Sequence, residues 1–82
     1  MQIRPLNPKL TRFIVKRGLT NKFNKQLGLF RDNPNHPALD TEKLAPNLAG
    51  LYSFRIDSKY RVIFHFLPDG EAQIVDINDH YQ

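Results

Sequence analysis

Two arginines, a histidine and a tyrosine in the last third of the chain carry groups suited to phosphodiester chemistry. Arg55 and Arg61 lie six positions apart, and His80 and Tyr81 are adjacent near the end. A guanidinium fork matches phosphate oxygens. An imidazole trades protons near neutral pH. A phenol can stack on an unpaired base, or equally cap the edge of a core. Together these are the groups needed to handle a phosphodiester without a metal. His36, His65 and His80 are too dispersed for a metal-binding motif, and the absence of cysteine excludes a thiolate zinc site or a disulfide framework.

These residues need elements to position them. Leu48–Ile56 reads as a strand, Lys59–Phe66 as a second and Ala72–Asn78 as a third running into His80 and Tyr81. Alternation puts Tyr52, Phe54 and Ile56 on one face, with Ser53 and Arg55 on the other. Tyr60, Val62, Phe64 and Phe66 form an aromatic, buried face, opposite Arg61 and His65. In the third strand Ile74 and Val75 are both apolar, which leaves its buried face ambiguous. Asp57-Ser58 and Pro68-Asp69-Gly70 make hairpin turns.

Upstream, Gln2 to Leu6 could form a short strand that Pro5 limits to an edge or a brief pairing. Asn7 before Pro8 reads as a helix cap, and Leu10, Phe13 and Ile14 as an amphipathic stripe ended by Gly18. Thr20 caps a second helix, with Leu19, Phe23, Leu27 and Phe30 as its buried stripe and Gly28 weakening its middle. The loop Asn33 to Pro46 follows. His36, between Asn35 and Pro37, shapes a turn. The order predicts an α+β fold: a small antiparallel sheet of three to four strands with two N-terminal helices packed on one face. The other face is then uncovered, and Arg55 and Arg61 project from it. They form a phosphate site there, unless each pairs with a nearby aspartate.

The chain has 82 residues and a net charge of +4, enough for a single domain spanning 1–82. Lys9, Arg12, Lys16, Arg17, Lys22, Lys25 and Arg31 lie in the first 31 residues, which hold no acid. That half is either a solvated helix surface or the footprint of an anionic partner. No apolar run approaches a membrane span and no long apolar stretch opens the chain, so a cytoplasmic protein without a membrane partner is expected.

The segment Leu44-x-x-Asn47-Leu48-x-Gly50-x-Tyr52-Ser53-x-Arg55-Ile56, then Tyr60-Arg61-Val62, then His80-Tyr81, resembles the RelE/ParE superfamily of bacterial toxins, and within it the YoeB-like branch. The resemblance implies a RelE-like fold and the toxin of a type II toxin–antitoxin system. It implies a ribosome-dependent, metal-independent mRNA endoribonuclease that inhibits translation and needs no cofactor. Its partners would be a cognate antitoxin, mRNA and the ribosome; oligomeric state is left open. By position, Glu42 becomes the general base, Arg61 the contact to the scissile phosphate, His80 the general acid and Tyr81 its neighbour. Arg55 matches the Ser-x-Arg arginine. The chain departs from the pattern in carrying Gln82 after Tyr81 and in placing Phe54 where a second arginine can sit.

RNA brings its own nucleophile, the 2′-OH. A carboxylate can take its proton, an imidazole can protonate the departing 5′-oxygen, and arginines can stabilise the phosphorane. Lys43 and Lys59 join Arg55 as phosphate-binding candidates. Read singly, Glu42 is also a loop acid, His80 a solvated residue and His65 a satisfied sheet residue. Two other functions remain: a ParE-like inhibitor of DNA gyrase, and a basic nucleic-acid-binding module without catalysis.

Overall fold

The computed structural model describes residues 1–44 and 50–80. Asn7 caps the first helix, its side chain accepting the Lys9 N–H at 2.8 Å with Pro8 in the first turn. Helix α1 spans Pro8–Lys16, and Gly18 follows it in the left-handed region with φ 68°. Helix α2 spans Thr20–Asp32. Thr20 does not cap it: the N-cap is Leu19, which makes no side-chain cap bond. Leu19 is only 3% exposed, so tertiary burial rather than capping fixes where this helix starts.

Phe23 and Phe30 of α2 are buried and Leu27 is half-buried, as the stripe predicts. Gln26 shares that stripe. Its Nε2 donates to the carbonyls of Ala38 at 3.0 Å and Arg55 at 2.8 Å, which satisfies its buried amide. The chain then turns through a single 3-10 turn, Pro37–Leu39, which His36 caps by accepting the Ala38 N–H on Nδ1 at 3.0 Å. Asp40 follows with φ 48° and ψ 50°, the one non-glycine residue with positive φ among the described residues.

The sheet is an antiparallel meander in chain order: β1 Glu42–Lys43, β2 Tyr52–Arg55, β3 Arg61–Phe66 and β4 Ala72–Asn78. Two helices on a four-stranded sheet make the expected α+β fold. The N-terminal segment pairs only briefly, through a parallel bridge of Ile3 to Ala72. The β2–β3 and β3–β4 hairpins turn where the sequence predicts. Asp57 Oδ1 accepts the N–H groups of Lys59 and Tyr60 at 2.9 and 2.8 Å. Gly70, at φ 87°, donates its N–H to the Leu67 carbonyl at 2.9 Å.

Phe54, Val62, Phe64, Ile74 and Ile77 face the helices and are buried. Phe30 stacks on Phe54 at 4.6 Å and meets Phe64 edge-on at 4.7 Å. The pairing of β3 with β4 shifts between Ile63, opposite Asp76, and Phe64, opposite Ile74. Val75 is the extra residue of this bulge and is exposed. The bulge lets Ile74 and Ile77 both point inward, which resolves the ambiguity of that strand.

Two expectations are corrected. Phe66 is 44% exposed, because it closes β3 at the sheet's end and packs only its edges against Tyr52 and Phe64. The second sheet face is not uncovered, since Ser53, Arg61 and Ile63 are all buried on it. Part of its cover comes from the loop at Asp40, which reaches over Arg61.

Candidate active site

Glu42, Arg55 and Arg61 are far apart in sequence, yet they line one cleft. The meander brings them together: Glu42 pairs with Ser53, and Arg55 pairs with Arg61. Alternation then turns Glu42, Ser53, Arg55 and Arg61 to the same side of the sheet. Asp40, Asp57 and Ser58 complete the lining of a cavity of about 240 Å³.

Arg61 departs most from expectation. It is 5% exposed and does not project freely from the sheet. Its Nε donates to Ser53 Oγ at 2.9 Å and its Nη1 to Asp40 Oδ2 at 3.2 Å. Nη2 donates to the carbonyl oxygens of Asp40 and Ser53. A buried guanidinium needs this many acceptors, because an unpaired charge inside a protein is strongly disfavoured. Arg55 is more open, with half of its side chain exposed, and its Nη2 lies 3.4 Å from the same Asp40 oxygen. Both arginines therefore pair with one nearby aspartate.

Around the cleft two guanidinium groups meet the carboxylates of Asp40, Glu42 and Asp57. Asp57 is partly offset by the Lys22 ammonium at 3.4 Å. Burial pushes the Asp57 carboxyl up, but the backbone N–H groups of Tyr60 and Lys59 and the Lys22 ammonium outweigh it and hold it below the ordinary value of 3.8.

The other predicted residues lie around this centre. His80 is exposed, two residues beyond Asn78, which pairs with Arg61. The Asn78 side chain accepts the His80 N–H at 3.0 Å. His80 is not among the residues lining the cleft, and neither are Lys43 and Lys59. The Lys59 ammonium instead lies 5.4 Å from the centre of the Tyr60 ring. Tyr81, Asn47 and Leu48 lie outside the described residues. His65 is a satisfied sheet residue, its Nε2 2.9 Å from Gln73 Oε1.

Asp40 was missed as a residue of the cleft, and Gln26 as the brace that holds the Arg55 carbonyl beside it. Gln26 carried a signal, a polar residue on an apolar stripe. Asp40 lies within the loop Asn33 to Pro46 with no motif around it, and its link to two arginines is made by the fold alone.

No protein-family model matches the sequence, and no curated protein does either. Solved structures do. A YoeB/ParE toxin from Agrobacterium tumefaciens superposes with a TM-score of 0.76 at 19% identity, over 99% of this chain and 100% of that one. A YoeB dimer from Staphylococcus aureus gives 0.72 at 24% identity, over 98% and 94%. A heterotetrameric YoeB-YefM toxin-antitoxin complex from the same organism gives 0.72 at 23%, over 99% and 100%. The chain thus has the fold of the YoeB toxins along almost its whole length. No described helix is long and apolar enough to cross a membrane.

Proposed function

We propose that the protein is the toxin of a toxin–antitoxin pair and that it cleaves mRNA on the ribosome, in the cytoplasm, without a metal. The observation that supports this most is the convergence of Glu42, Arg55 and Arg61 on one cleft in a YoeB-like fold. In this reading Glu42 takes the proton of the 2′-OH. The oxygen then attacks the adjacent phosphorus, and the bond to the 5′-oxygen breaks. His80 gives its proton to that leaving oxygen. Arg61 is preorganised by Ser53 and stabilises charge on the phosphorane together with Arg55. Tyr81 follows His80 and completes the set.

The toxin is held in check by a cognate antitoxin, as the YoeB-YefM complexes suggest by analogy. An acidic antitoxin segment laid directly over Arg61 does not suit its burial. Arg55 and the exposed lysines and arginines of the helices fit that role.

The burial of Arg61 and its pairing with Asp40 favour a second reading, a toxin that binds its target without cutting RNA, such as a gyrase inhibitor. Purified protein added to programmed ribosomes separates the two. The nuclease reading expects cleavage of bound mRNA, reduced about 100-fold or more by Glu42→Gln or His80→Ala. Intact mRNA together with loss of supercoiling by purified gyrase would establish the second.

A further inference from the structure

We infer that Asp40 is an internal stand-in for the substrate phosphate: its carboxylate occupies the place between Arg55 and Arg61 where an oxyanion binds, and a phosphate enters only by displacing it. The inference deepens the phosphodiester reading of this cleft and rests on it.

Both guanidinium groups converge on the same Asp40 atom. Arg61 Nη1 lies 3.2 Å from Oδ2 and Arg55 Nη2 lies 3.4 Å from it. An oxygen held between two guanidinium groups is the arrangement a phosphate oxygen takes, since carboxylate and phosphate match the same fork. The two arginines stand directly opposite each other on β2 and β3, where like charges repel. An anion between them relieves that repulsion, and here that anion is the Asp40 carboxylate.

The partners differ in their freedom to move. Arg61 is buried and remains tied by Nε to Ser53 Oγ and by Nη2 to the Asp40 carbonyl. Neither contact involves the Asp40 carboxylate. The Asp40 side chain is 44% exposed, so it can rotate into water without a large desolvation cost. Displacement therefore moves the carboxylate and leaves Arg61 in place, while Arg55, half exposed and paired with that same carboxylate, is free to turn to the incoming anion.

The left-handed backbone at Asp40 is what aims its carbonyl and carboxylate at one guanidinium. Asparagine tolerates that conformation and glycine adopts it freely, so the carboxylate can be removed in two ways without forcing the backbone.

The test is a calorimetric titration of inorganic phosphate, at constant ionic strength, into wild type, Asp40→Asn, Asp40→Gly and Asp69→Asn. Asp69 supplies the control, because it is an exposed aspartate paired with Arg4 and its change alters net charge equally. Both Asp40 variants are expected to bind phosphate about tenfold or more tightly than wild type and the control. Adding Arg55→Gln to Asp40→Asn should abolish the gain. An Asp40 variant that folds only when phosphate is present also supports the inference. Phosphate affinities of the Asp40 variants no higher than that of Asp69→Asn would overturn it, as would variants that fold in neither buffer. If the gain appears but no variant cuts mRNA on ribosomes, the stand-in role stands and the nuclease reading falls. If wild type cuts mRNA and no gain appears, the stand-in role falls alone.

Discussion

Arg55 and Arg61 are direct cross-strand partners, yet one is half exposed and the other is buried. The same charge therefore has a different role at each position. Arg61 is built into the sheet, whereas Arg55 is offered to solvent.

That difference predicts unequal outcomes for one substitution. Arg61→Lys replaces a planar fork with a point charge and leaves the buried Ser53 hydroxyl without its donor. It is expected to destabilise the fold by about 2 kcal/mol or more, read from urea unfolding. Arg55→Lys keeps an exposed cation and should stay within about 0.5 kcal/mol of wild type. Equal losses in the two variants would refute the assignment.

Gln26 braces α2 against both the 3-10 turn and the end of β2. In Gln26→Leu the carbonyls of Ala38 and Arg55 lose their donor. The expected loss is about 2–3 kcal/mol, from unsatisfied carbonyls rather than lost packing. Gln26→Glu should be no better, because a carboxylate offers acceptors where donors are required. A Gln26→Leu protein as stable as wild type would show that the brace contributes nothing.

Gly28 lies inside α2 without positive φ, and a methyl group added there meets nothing within 4 Å beyond its chain neighbours and its own helix backbone. Gly28→Ala should therefore stabilise the protein by about 1 kcal/mol. For a domain of this size that corresponds to a rise in Tm of roughly 4–8 °C. A fall in Tm would show that the helix middle has no room for the added methyl group.

Asp57 makes part of the stability pH-dependent. Its folded pKa is lowered, so the unfolded chain binds that proton more readily. Its contribution is complete above the ordinary value of 3.8 and is lost as pH falls through the lower folded value. Asp57→Asn keeps a side-chain oxygen for the turn but no titrating group. Tm measured between about pH 2 and 6 should decline less steeply on the acid side in the variant. Parallel curves would rule the group out.

Much of the architecture was legible in sequence because its causes are local. Asn7-Pro8, Gly18 and the Asp57 and Gly70 turns each act within a few residues, and alternation identified Phe54, Val62 and Phe64 as core. The causes that were not legible are long-range. The bulge beside Ile63 depends on how β4 meets β3, and alternation along either strand alone does not reveal it. Arg61 was placed on the correct face, but its burial depends on Asp40 from a loop 21 positions away. Glu42 entered the site through family resemblance, and the strand pairing of Glu42 with Ser53 supplies the physical reason that it lies beside Arg55 and Arg61.

The strand order carries a kinetic consequence. Each strand of the sheet pairs with its neighbour in the chain, so its hairpins close short loops at small entropic cost. Topologies dominated by such nearby pairings fold faster than those built from distant ones. The Ile3–Ala72 bridge is the exception, joining the N-terminal segment to the start of β4. That bridge instead closes most of the chain into one loop, so its contacts carry a larger closure entropy than any hairpin of the sheet.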